Sequence, residues 1–136
     1  MTDEEKIALS RRAVACKGWR WMPGMLTDEG RRVMRVWPDD LGIKWSHLLD
    51  NRVVRDADAL PDLTDPATLG CLVTLVRELY RAPWKLWDGH IEVRRDHQTL
   101  FFAMQFSHNS EGFLEEVHVA SGQTEVEAWV AALEAA

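Results

Sequence analysis

The stretch "DPATLGCLVTLVRELY" (65–80) limits what this chain can fold into more than any other. Asp65 is a good helix N-cap, and Pro66 fits the first helical position, where a missing N–H costs nothing. Leu69, Leu72, Val73, Val76, Leu79 and Tyr80 then recur at helical spacing, so one broad stripe must face a core.

Two more helices are legible from their starts. Thr2 and Glu5 have capping-box spacing and open a helix that stops at Gly18, with a thin apolar face of Ile7, Val14 and several alanines. Thr124 and Glu127 open another, whose face is Val126, Trp129, Val130 and Leu133. Strands fill the intervals. "RRVMRVW" (31–37) and "GIKWSH" (42–47) alternate on either side of a Pro38-Asp39-Asp40 turn. "PWKLW" (83–87) and "HIEVRR" (90–95) flank Asp88-Gly89, a two-residue hairpin signal. "LFFAMQF" (100–106) and "FLEEVHVA" (113–120) continue the meander. The sequence therefore predicts one α+β domain over residues 1–136. Its antiparallel sheet carries three packed helices as an α/β sandwich, in the order α-β-β-α-β-β-β-β-α. The 136 residues suffice to bury a core, and no repeat or linker interrupts them.

Charge narrows the partners. The net charge is −6, yet residues 1–95 hold all 16 Lys and Arg against 15 Asp and Glu, whereas residues 96–136 hold 7 acidic residues and no basic one. An extended nucleic-acid binder needs a basic balance and a basic stripe, so that class is disfavoured. Arginine outnumbers lysine 12 to 4, and its planar fork suits phosphate or carboxylate, although such side chains also serve as solvated surface charges with packed stems. Cys16 and Cys71 are too few for a disulfide scaffold or a closed zinc site and suit a reducing compartment. No apolar run approaches a membrane span and no leader pattern opens the chain, so a cytoplasmic protein without a membrane association is expected.

Catalytic signatures are missing. The sequence contains no G-x-S-x-G elbow, no P-loop and no dinucleotide fingerprint. His47, His90, His97, His108 and His118 lack metal-ligand spacing, and His90-Ile91-Glu92 has no P-C-x-x-C to complete a zinc-deaminase pattern. Glu115 and Glu116 are adjacent in a predicted strand and face opposite sides, so they do not form an acid/base pair. Both cysteines fall on apolar helix faces, where an inert thiol is the simpler reading. No cofactor, metal or catalytic residue is assigned.

A binding constellation remains. "GWRWMPGM" (18–25) follows the first helix, and the chain carries seven tryptophans against one tyrosine. In an extended segment Trp19 and Trp21 point to one side, and Arg20 and Met22 to the other. Arg32 and Arg35 add cations beside apolar bulk, Arg94 and Arg95 end a strand, and His108 and Asn109 begin a polar loop, "SHNSEG" (107–112). Aromatic faces and arginine forks suit a base and its phosphates, so Trp19, Arg20, Trp21, Arg32, Arg35, Arg94, Arg95, His108 and Asn109 are the candidate ligand-binding residues. The competing reading is that the tryptophans fill a thin core or an oligomer interface. The thin face of the first helix, with so many aromatics, also leads to the expectation of a homo-oligomer.

"LPDLTDPATLGCLVTLVREL" (60–79) resembles the central motif of the phage ABA-sandwich domain proteins, with Leu63 where their turn more usually carries tyrosine. "TEVEAWVAALEAA" (124–136) resembles their closing helix and "AVACKGWRW" (13–21) the end of their opening one. The resemblance covers the helical framework, about half the chain. It implies a phage-encoded counter-defence protein of the infected bacterial cell, similar to sponges that sequester a small, cyclic nucleotide immune signal without cleaving it. It carries no ligand-contacting residue onto this chain. Two other classes compete: an inhibitor that blocks a host defence nuclease through the acidic C-terminal third, and a phosphodiesterase-like enzyme.

Overall fold

The three helix starts are each closed by a side-chain cap. In the computed structural model, which describes residues 1–37, 42–45, 53–54, 59–81, 90–96, 100–108 and 111–136, α1 spans Asp3–Val14. The Thr2 hydroxyl accepts from the Glu5 N–H (3.2 Å), while the Glu5 carboxylate accepts from the Thr2 N–H (2.7 Å). The helix ends four residues before Gly18, through a turn in which Cys16 and Trp19 donate to Ala13 and Cys16 carbonyls. In α2 (Pro66–Tyr80) the Asp65 carboxylate accepts from the Thr68 N–H (3.0 Å), leaving Pro66 at the position that needs no donor. In α3 (Glu125–Ala135) Thr124 accepts from the Glu127 N–H (3.1 Å), and Glu127 in turn accepts from the Gln123 N–H.

Among the described residues six antiparallel strands make two three-stranded sheets. The first comprises β1 (Val33–Trp37), β2 (Gly42–Trp45) and β3 (Val53–Val54), with a register shift between Val33 and Arg35. The second comprises β4 (His90–Arg95), β5 (Phe101–His108) and β6 (Leu114–Gly122), with β5 in the middle. An α+β architecture with three helices is therefore present, but its described order is α1-β1-β2-β3-α2-β4-β5-β6-α3. The expected order lacked β3, which at two residues is too short to show any periodicity. The strand expected at "PWKLW", its Asp88-Gly89 hairpin and the Pro38-Asp39-Asp40 turn lie outside the described residues.

The chain divides into two compact units, Met1–Cys71 and Leu72–Ala136. In the first, the buried side chains include Leu9, Ala13, Trp21, Met25, Val33 and Leu63. The buried face of α1 is Leu9, Ser10 and Ala13, not the expected Ile7, which is exposed, or Val14, which is half-buried. Ser10 belongs there because its hydroxyl donates to the Pro61 carbonyl (2.8 Å), which removes the penalty of burying it.

In the second unit α3 packs on β4, β5 and β6. Val126, Trp129, Val130 and Leu133 are buried as the periodicity predicts, joined by Ala128 and Ala132. Gly122 marks the closest approach: a Cβ there would lie 2.7 Å from the Ala128 nitrogen. Ile91 and Ala103 are fully buried on the sheet face that Gly122 shares by register, so this is the face against α3. The Tyr80 hydroxyl donates to the Ala132 carbonyl (2.8 Å), and burial raises its pKa. On α2 the stripe is Leu72, Leu75 and Val76; Leu79 in the last turn is exposed instead of buried. No helix among the described residues is long and apolar enough to cross a membrane.

Candidate functional site

The segment after α1 is held by one chain of hydrogen bonds. Gly24, at φ +97°, turns its N–H to the Val33 carbonyl (2.8 Å) and its own carbonyl to Arg32 Nη1 (2.6 Å). Only glycine adopts that backbone angle without strain. The Val33 N–H returns to the Met25 carbonyl (2.7 Å), so the loop pairs with the start of β1. Arg32 also forks onto Asp65, with Nη1 to Oδ2 at 3.1 Å and Nη2 to Oδ1 at 3.3 Å. Asp65 Oδ2 accepts from the Thr68 hydroxyl (2.9 Å), and that hydroxyl accepts from the Leu26 N–H (2.7 Å). The circuit Gly24–Arg32–Asp65–Thr68–Leu26 thus ties the loop to the start of α2.

Its electrostatics follow from the fork. The hydrogen bonds from Arg32 are the main cause that lowers the Asp65 carboxyl to about 2 from its ordinary 3.8; desolvation opposes them and the bonds from Thr68 add to them. The Arg32 guanidinium is raised in turn, chiefly by its hydrogen bond to Asp65. The nearby Cys71 thiol is raised by burial first and by the Asp65 carboxylate second, which makes it a poor nucleophile. Arg32, expected to be a ligand contact, therefore carries a structural ion pair. Trp21, 2% exposed, is likewise part of the interior, as is Met25 at 0%. Trp19 is half-buried and its ring meets that of Trp21 edge to face (5.7 Å between centroids, 82°), while Arg20 beside it is exposed. Within "GWRWMPGM" Trp21 and Met25 are consequently packing, Arg20 and Pro23 are exposed, and the other four residues are half-buried.

A second cluster lies within the β4–β5–β6 sheet. The register puts Glu92 and Arg94 on one face with Phe102, Met104 and Phe106 of β5 and with Glu116, His118 and Ser121 of β6. Phe102 and His118 meet edge to face (5.3 Å, 70°). The Arg94 guanidinium lies 4.7 Å from the centre of the Phe106 ring and also contacts Glu92 Oε2 (3.3 Å). Arg95 turns to the other face, 5.9 Å from the Phe101 ring. The two adjacent arginines therefore do not act on one ligand face. Arg35 and His108 contribute backbone to β1 and β5, and their side chains lie outside the described residues, as does Asn109 altogether.

Phe102 and His118 were not among the expected site residues. Their signal was the period of two in "FFAMQF" and "EEVHVA", which puts alternate side chains on a common face once the register is known. Among the described residues no group of three or more His, Cys, Asp or Glu is arranged to hold a metal. Compared with known protein families, curated proteins and solved structures, the chain matches none.

Proposed function

We propose that this chain is a phage-encoded counter-defence protein that sequesters a small, cyclic nucleotide signal without cleaving it, as the resemblance of its helical framework implies. The reading rests on one observation: one face of the β4–β5–β6 sheet carries both the Phe102–His118 ring pair and the exposed Arg94 guanidinium, which lies over the Phe106 ring. A base stacks on such rings, and a guanidinium offers paired donors to phosphate. Arg94 is already oriented by Glu92 and the Phe106 ring, so little of its freedom is lost on binding. The finer description of the fold, a single sandwich of helices about a sheet, and the placement of the protein in the cytoplasm of an infected bacterium belong to this same proposal.

Native mass spectrometry with a panel of linear and cyclic nucleotides tests it. Retention of an intact nucleotide, weakened about tenfold or more by Arg94→Ala, is expected; that range corresponds to the loss of a charged hydrogen bond. Retention of none overturns the reading, and release of a cleaved product replaces it with an enzyme.

An inhibitor of a host defence nuclease is the second reading, favoured by the exposure of Glu111, Glu115 and Glu116 on and before β6. A partner with a basic nucleic-acid channel would be drawn to them. Inhibition of such a nuclease that survives Arg94→Ala and is lost on Glu115→Lys with Glu116→Lys would favour it.

A further inference from the structure

We infer that β6 is a docking edge for a second copy of this chain, joined antiparallel about a two-fold axis at Val117. This inference stands apart from the ligand reading and does not need it.

Among the described residues β6 is an edge of its sheet, pairing only with β5. Every residue from Leu114 to His118 is exposed, although successive side chains point to opposite faces. The strand therefore projects with both of its faces uncovered, and Leu114 (58%) and Val117 (49%) hold apolar surface in water. Proteins ordinarily blunt such an edge with charged side chains, lysine above all, with proline, a bulge or a cover. Here the register shift falls at Val119, directly after this segment, residues 114–118 hold neither lysine nor proline, and the charges on the edge are Glu115 and Glu116, which a second copy can accommodate.

The side chains select the occupant and its register. With Val117 opposite Val117 of the second copy, Glu116 of each copy faces His118 of the other. Glu115 of each copy then lies beyond that pair, toward Val119 of the other, so no glutamate opposes a glutamate. Shifting the axis to Glu116 or Glu115 opposes like charges, which destabilises a cross-strand pair, and shifting it to His118 loses both Glu–His pairs. The sequence Glu116-Val117-His118 is thus complementary to itself in one antiparallel register. Through this contact the two sheets become one six-stranded sheet, in which Val117 meets its mate on the α3 side and the Glu116–His118 pairs lie on the side of Phe102 and Arg94.

Sedimentation velocity over a wide range of protein concentration provides the test, with circular dichroism to show that each variant folds. Wild type is expected to pass to a species of twice the 15.6 kDa chain mass. Val117→Lys on this exposed strand should raise the dissociation constant about tenfold or more. His118→Glu should act likewise, and the exchanged pair Glu116→His with His118→Glu should restore the dimer, which loss of a general surface property would not. A wild-type monomer at high micromolar concentration overturns the inference. So does an oligomer that Val117→Lys leaves intact, or an exchanged pair that stays monomeric.

Discussion

Asp65→Asn isolates the charge in the circuit that holds the loop to α2. Asparagine keeps an oxygen for the N-cap bond to Thr68, so the cap survives, while the charge beneath the Arg32 fork and the acceptor for its Nη2 are removed together. A carboxyl held at about 2 instead of 3.8 corresponds, at about 1.36 kcal/mol per pH unit, to about 2.5 kcal/mol of stability. The guanidinium is 41% exposed and the carboxylate 13%, so solvent screening reduces this to about 1 kcal/mol. Because the folded value is depressed, the contribution is complete above 3.8 and disappears as the pH falls through about 2. Urea unfolding of wild type and variant side by side should therefore show a deficit of about 1 kcal/mol near pH 6 that closes near pH 2. Other carboxylates titrate alike in both proteins and cancel in the difference. A deficit of the same size at both pH values would refute the reasoning, because it would arise from packing and not from the ion pair. An Arg32→Met variant completes the cycle: in its background Asp65→Asn should cost much less.

Three further outcomes follow from particular contacts. Gly122→Ala forces a Cβ within 3 Å of the backbone of Ala128 and Glu127, so thermal melting should show a loss of about 1–3 kcal/mol. Gly70→Ala, on the exposed side of α2 with nothing within 4 Å of the new Cβ, should instead stabilise by about 0.5–1 kcal/mol in the same assay. Trp21→Ala should cost about 3–5 kcal/mol in denaturant unfolding, as a ring 2% exposed, whereas Arg20→Ala next to it should stay within about 0.5 kcal/mol of wild type.

What the sequence made legible was whatever depends on neighbours in the chain. The caps at Thr2, Asp65 and Thr124 join residues three apart, and each is present. The buried face of α3 follows from its apolar spacing alone. The face of α1 was misread because Ser10 looks polar until its hydroxyl finds the Pro61 carbonyl, 51 positions away. Leu79 was misread for the opposite reason, since a helical stripe does not say where its neighbour ends. β3 had too few residues to alternate.

The candidate site was less legible than the fold, and for a physical reason. An arginine beside aromatic bulk has the same local pattern whether its fork meets a ligand or a carboxylate of the same chain. Arg32 and Asp65 are 33 residues apart, and nothing near either one announces the pair; only the N-cap role of Asp65 could be read locally. Arg94, by contrast, has its partners on its own strand and across one register, at Glu92 and Phe106. Neither partner closes over its outer side, and it remains 58% exposed. The distinction that matters for function is therefore what lies on the far side of the guanidinium. For Arg32 the donors are engaged by Asp65 and the Gly24 carbonyl, which fixes a fold; for Arg94 the outer side faces solvent on the sheet face that also carries the Phe102–His118 rings, and the proposed nucleotide reading rests on that difference.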